Sequence, residues 1–230
     1  MTFMPGYGQF CPVAKAAEVF AERWTPLIMR EILLGSRHFN ELERGLPRIS
    51  RSVLAQRLKS LEHDGLIVRR GAEDGRSSEY LPTPAGQELF DVIQLLGVWG
   101  ARWMNREVQP EDTDIDLLMW DMHRRIELDR LPGRRIVVEV QFTGLSHRRY
   151  WLVLERSGAS VCVTDPGFDI DLSITADTMT LHRVWVGHQA FETALRSRAI
   201  QIDGPPELCR AFPTWLQLSM FSHVAPVAAA

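Results

Sequence analysis

A chain of 230 residues, 45% apolar and 24% charged, has the length of one large domain or two modest ones. Its composition is that of an ordinary globular protein, which excludes a disordered tail, a collagen-like repeat and a disulfide scaffold. Charge favours two domains: residues 1–106 hold 14 basic and 12 acidic side chains, a net of +2, whereas residues 107–230 hold 12 and 17, a net of −5.

No run of eighteen apolar residues occurs, and near the first residues no charged segment leads into an apolar one, the first basic residue being Lys15, so no membrane partner and a cytoplasmic location are expected. Cys11, Cys162 and Cys209 are too scattered for a disulfide framework or structural zinc and suit a reducing compartment.

Val13, Ala14, Ala17, Phe20, Ala21 and Trp24 recur at helical spacing and predict a first helix. Thr25-Pro26 predicts a cap and restart, with a second helix from Pro26 to Leu34 stopped by Gly35. A short third helix puts Phe39, Leu42 and Leu46 inward and ends near Pro47. Ser50 caps the fourth. At about 100° per residue, Leu58 and Leu61 fall within about 40° of Leu54, forming a core stripe, while Ser52, Gln56, Lys59 and His63 face the other way. Gly65 stops this helix.

Ile67 to Arg70 and Ser78 to Leu81 are β-prone segments joined by Gly71–Arg76, a hairpin. Thr83-Pro84 opens a last helix with Leu89, Ile93, Leu96 and Trp103 on one side, widened by Phe90 and Trp99. That apolar breadth exceeds the need of one small core and suits a two-fold dimer interface.

From Gly45 to Leu61, Arg48, Arg51, Arg57 and Lys59 occur without an acid. A small, polar, basic helix face can hydrogen-bond base edges in a major groove, with Arg51 and Arg57 at phosphate positions. Arg48, Ser50, Arg51, Ser52, Gln56, Arg57 and Lys59, with Arg69, Arg70 and Arg76 on the hairpin, are the candidate DNA-binding residues.

Cys11-Pro12-Val13, Arg23-Trp24-Thr25, Leu33-Leu34-Gly35, Phe39-Asn40-Glu41-Leu42, Ile49-Ser50, Leu54-Ala55-Gln56-Arg57-Leu58, Leu61-Glu62, Gly65-Leu66-Ile67 and Thr83-Pro84-Ala85-Gly86 occur in an order that resembles the HxlR-type winged helix-turn-helix regulators. The resemblance covers about residues 10–105. It implies a dimeric transcription regulator whose Ser50–Asp64 helix enters the major groove of an operator duplex while the hairpin, its wing, touches flanking groove or backbone. Departures are Pro26 after Thr25, and Pro82, which shortens the strand before Thr83. Some members of this class use a cysteine at the Cys-Pro position as a redox sensor; Cys11 is that candidate here, with Lys15 one turn away to lower its pKa.

After an acidic linker, 107–115, residues 116–230 predict α+β structure. A helix from Asp116 ends by Pro132-Gly133. Strands at Ile136–Phe142, Arg149–Glu155, Ala159–Thr164 and Asp169–Thr175 form a mostly antiparallel meander. A helix capped by Asp177 and running through Val186, a shorter one at Ala190–Arg196, a strand at Ala199–Asp203 and a helix from Pro206 follow.

"DIDLSITAD" (Asp169–Asp177), "TLHRVWVGHQAFETAL" (Thr180–Leu195) and "AIQIDGPPELCRAF" (Ala199–Phe212) resemble the sterol-carrier-protein-like fold. That resemblance implies a helix-lidded sheet around a cavity for an apolar small-molecule effector, with Met119, Trp120, Trp151, Trp185, Trp215 and Met220 as candidate ligand-binding residues. No nucleophile constellation, phosphate loop or metal-ligand spacing is found, so no enzyme, no metal and no cofactor are expected. The favoured reading is a homodimeric, sequence-specific DNA-binding regulator tuned by an apolar effector. The rival reading is a hydrophobic-ligand-binding protein whose winged helix serves dimerisation or protein docking.

Overall fold

In the N-terminal part of the chain, helix boundaries follow caps and glycines that act over a single turn. The computed structural model, which describes residues 6–71, 78–104 and 107–227, divides into two units, Met1–Leu96 and Gly97–Ala230. The first contains α1 (Pro12–Phe20), α2 (Thr25–Leu33), α3 (Phe39–Gly45), α4 (Arg51–His63), β1 (Ile67–Gly71), β2 (Ser78–Pro82) and most of α5 (Pro84–Trp103).

Gly35 (φ 105°) and Gly65 (φ 72°) end α2 and α4 in the left-handed region. The Ser50 hydroxyl accepts from the Val53 amide at 3.3 Å, and the Glu41 carboxylate accepts from the Arg37 and His38 amides at the start of α3. Thr83 serves two helices: its hydroxyl donates to the Gly65 carbonyl (2.7 Å) and accepts from the Gly86 amide (3.1 Å), tying the start of α5 to the end of α4.

The core of this unit joins Ile28, Met29 and Ile32 of α2, Leu42 of α3, Leu54, Leu58 and Leu61 of α4, Ile67 of β1 and Ile93 of α5. α1 contributes less than its pattern predicts. Ala14 is buried, Ala17, Phe20 and Trp24 are half-buried, and Val13 and Ala21 are exposed. Thr25 is the first residue of α2 rather than its cap. The cap position falls to Trp24, held at φ 78°, with the Arg23 guanidinium 5.5 Å from its ring centroid. In the hairpin, Pro82 pairs with Ile67 and lengthens the strand instead of shortening it; a missing N–H is tolerated in a two-stranded ribbon.

The second unit holds α6 (Ile115–His123), β3 (Ile136–Thr143), β4 (Arg149–Glu155), β5 (Gly158–Cys162), β6 (Leu172–Asp177), α7 (Thr178–Trp185), α8 (Phe191–Arg196), β7 (Ile200–Asp203) and α9 (Pro206–Trp215). Asp114, inside the expected linker, caps α6 by accepting from the amides of Asp116 and Leu117. α6 ends at His123, well before Pro132, because the chain then pairs with the segment after α9: the Glu127 amide donates to the Trp215 carbonyl and the Gln217 amide to the Arg125 carbonyl.

The sheet is mixed and is not a meander. Its order is β5-β4-β3-β6-β7, with β6 parallel to β3 and the other pairings antiparallel. Asp171 fixes the parallel register: its carboxylate accepts from the Val137 amide (2.9 Å) and pairs with Arg134 (2.7 Å). One sheet face, with Val138, Val140, Phe142, Tyr150, Leu152, Leu172 and Ile174, packs with residues of α6, α7 and α9 into a single core.

A second fastener joins α6 to β4. The Asp116 carboxylate accepts from the Tyr150 hydroxyl at 2.7 Å and the Arg148 guanidinium at 2.6 Å. Burial by itself raises the Asp116 carboxyl, but the bonds from Arg148 and Tyr150 together overcome it and hold the group below its usual value. The Tyr150 phenol is pushed above its ordinary value by burial and by the adjacent carboxylate, so it stays a donor.

Candidate nucleic-acid interface

The outward side of α4 is set by where its apolar residues go. Leu54, Leu58 and Leu61 are 0–1% exposed, so the helix is fixed about its axis, and Ser52, Gln56, Lys59 and His63 are left in solvent. α3, the turn through Pro47 and Arg48, and α4 make the helix-turn-helix, with Arg48 exposed in the turn and Ser50 exposed as the cap. The Ser50 and Ser52 hydroxyls are 3.2 Å apart, beside the helix end whose free amides attract anions.

The two arginines expected at the flanks are engaged within the protein. Arg57 is only partly exposed and pairs with Glu22, in the turn after α1, at 2.6 Å. Arg51 pairs with Glu43 of α3 at 2.6 Å and lies 5.0 Å from the Phe39 ring centroid. The stretch is free of acids along the chain but not in space, because folding brings Glu22 and Glu43 to it. The sequence offered no signal for these pairings.

Arg69 and Arg70 are exposed on β1, opposite Tyr80 and Glu79. As adjacent strand residues they point to opposite faces of the hairpin, so the structure does not bring them to one surface. Arg76 lies outside the described residues. Cys11 is half-buried at the start of α1. The Lys15 ammonium, offered as its activator, is bonded to both carboxylate oxygens of Glu18.

The six residues proposed to line a cavity do not all lie on one side of the sheet. Met119, Trp185 and Trp215 are packed into the sheet-and-helix core, where Trp215 meets Phe212 edge-on at 6.0 Å. Strand alternation puts Trp151, between Tyr150 and Leu152, on the other side of the sheet, opposite Glu139 and Cys162. Trp120 is buried outside that core against His123 and Arg124, and Met220 is half-buried. Among the described residues, no group of three or more His, Cys, Asp or Glu side chains could hold a metal ion. No helix among them is long and apolar enough to cross a membrane.

These features define a winged helix-turn-helix module: a helix-turn-helix whose second helix offers a polar, cationic side, followed by a two-stranded hairpin. Residues 19–108 match the family model described as HxlR-like helix-turn-helix. The chain is 34% identical over 99 residues to the uncharacterized HTH-type transcriptional regulator YvaP of Bacillus subtilis, covering 42% of this chain and 92% of that one. It is 40% identical over 99 residues to the uncharacterized HTH-type transcriptional regulator Mb3122 of Mycobacterium bovis, covering 43% of this chain and 62% of that relative's length. Among solved structures, quinone-bound YodB from B. subtilis is 30% identical, with 40% of this chain and 97% of that one covered and a TM-score of 0.35. The chain belongs to the HxlR-like helix-turn-helix family through its N-terminal part. The relatives are named as transcriptional regulators, which is not an enzymatic role.

Proposed function

We propose that this protein is a homodimeric, sequence-specific DNA-binding transcription regulator modulated by an apolar small molecule bound in its second unit. The observation that carries the reading is the outward side of α4, where Ser52, Gln56 and Lys59 stand in solvent on a helix held by Leu54, Leu58 and Leu61. Gln56 and Lys59 read base edges. Ser50, Ser52, Arg48 and one of Arg69 and Arg70 contact phosphates, joined by Arg51 and Arg57 when DNA displaces Glu43 and Glu22.

Dimerisation is supported by α5. Val92, Leu95, Leu96, Trp99 and Trp103 form one stripe at helical spacing and are 41–71% exposed. A second copy laid on this stripe across a two-fold axis presents two reading helices to a pseudo-palindromic site.

The test is a mobility shift with duplex DNA from the gene's own upstream region. Wild-type affinity should fall about 10³- to 10⁵-fold between about 50 and 200 mM salt. Gln56→Ala combined with Lys59→Ala should weaken specific binding by about 2–4 kcal/mol, or roughly 30-fold and more, with an unchanged melting curve. Undiminished affinity in that double variant removes the assignment of α4.

A further inference from the structure

Glycine inside a helix costs about 0.5–1 kcal/mol relative to alanine, and the C-terminal half of α5 carries two, Gly97 and Gly100, three residues apart on one side. Gly97 has a packing reason, since a Cβ there would sit 2.1 Å from the Phe221 ring. Gly100 has none: a Cβ there would meet no heavy atom within 4 Å.

The open space beside Gly100 is a cleft of about 380 Å³ whose lining belongs entirely to the second unit. That volume falls in the range of small-molecule sites, about 300–1,000 Å³. Its walls are the end of α5, the turn after α7 with His188, and the tail segment with Ser219, Phe221 and Val224. The tail is fixed at both ends, because the Ser219 amide donates to the Trp185 carbonyl (3.0 Å) and the Val227 amide to the Arg102 carbonyl (2.9 Å). It also lies against Gly187, where a Cβ would come 2.1 Å from the Ser222 carbonyl oxygen. The cleft is therefore framed by backbone bonds and close backbone contact.

Among the described residues, no Asp, Glu, Lys or Arg lines it, and its polar side chains are His188 and Ser219. Gly100 and Ala101 leave a flat floor of helix backbone, with the Phe221 ring to one side. A flat apolar floor suits an aromatic ring, the absence of charge suits a neutral molecule, and the imidazole and hydroxyl suit one hydrogen-bonding group. We infer that this cleft binds an uncharged aromatic molecule of one or two fused rings bearing a hydroxyl or carbonyl group, its ring on Gly100 and Ala101 and its polar group at His188 and Ser219. The regulatory meaning of the site rests on the function proposed above; the binding does not.

The test is calorimetric titration of the full chain with 2-naphthol and, separately, naphthalene, without DNA. Wild type should show saturable one-site binding of 2-naphthol. Gly100→Leu, which fills the floor, should weaken it at least about tenfold with an unchanged circular dichroism spectrum. His188→Ala, which lies outside any helix, should weaken 2-naphthol about fivefold and leave naphthalene as in wild type. Absence of saturable binding by wild type, or wild-type affinity in both variants, overturns the site. A mobility shift of the same preparations separates the two readings. Protein that shifts DNA but binds no 2-naphthol keeps the DNA assignment and loses this one, and protein that binds 2-naphthol but shifts no DNA does the reverse.

Discussion

The two units differ in what their polar side chains leave over for a partner. In the second unit, polar side chains act as fasteners: Asp171 locks β6 beside β3, Asp116 ties α6 to β4 through Tyr150 and Arg148, and the Arg125 guanidinium donates to the Leu218 carbonyl. In the first unit Arg51 and Arg57 are likewise paired, with Glu43 and Glu22, but Gln56 and Lys59 stand exposed on a helix fixed by its apolar side. A charged residue bound inside its own unit is part of the fold, and one held out by a rigid helix is available to a partner. The apolar residues differ as well. The sheet-and-helix core encloses Phe142, Tyr150, Phe212 and Trp215, whereas α5 leaves Trp99 and Trp103 half in solvent.

The largest expected effect concerns the enclosed aromatics. If Trp215, 1% exposed, is core, Trp215→Ala should cost about 3–5 kcal/mol in urea unfolding. A cost near zero would mean that the ring lines a cavity and that the contrast between this core and α5 is false. Next is the exposed stripe. Leu95→Glu with Trp99→Glu should raise the dimer dissociation constant at least about a hundredfold in analytical ultracentrifugation, with little change in melting. An unchanged sedimentation profile would show that no second copy covers α5.

The smallest effect is the most local. Asp116 has a lowered carboxyl value in the folded protein, so its contribution to stability is present above the ordinary carboxylate pKa of about 3.9 and is lost as pH falls through the lowered value. Asp116→Asn should flatten that acid limb of the unfolding curve and leave DNA binding near neutral pH as in wild type. An acid limb identical to wild type would show that Asp116 is no fastener.

Much of this molecule could be read directly from the chain. Ser50, Thr83 and Asp177 were legible as caps and Gly35 and Gly65 as stops, because each acts on backbone groups within a few residues. The α4 stripe was legible because a helix period repeats along the sequence. The strands of the second unit were found largely at their true positions, but β6 was assigned to a meander. Its place beside β3 depends on Asp171 meeting Val137 and Arg134, residues more than thirty positions away.

The candidate site divides the same way. Which residues of α4 face outward follows from local periodicity, since burying one stripe of a helix fixes the orientation of all the others. Which cations are free does not, because ion pairs such as Arg57–Glu22 and Arg51–Glu43 form between elements that meet only when the chain closes. The same holds for the tryptophans, whose enrichment predicts an apolar interior but says nothing of whether it is filled or hollow. Trp151 was separated from Trp215 by strand alternation in a sheet whose order no single strand specifies, and the cleft beside Gly100 came from tail, turn and helix meeting in space. Local backbone chemistry acts over one turn and is written in the chain; the partners of a side chain are chosen by packing, and packing exists only in three dimensions.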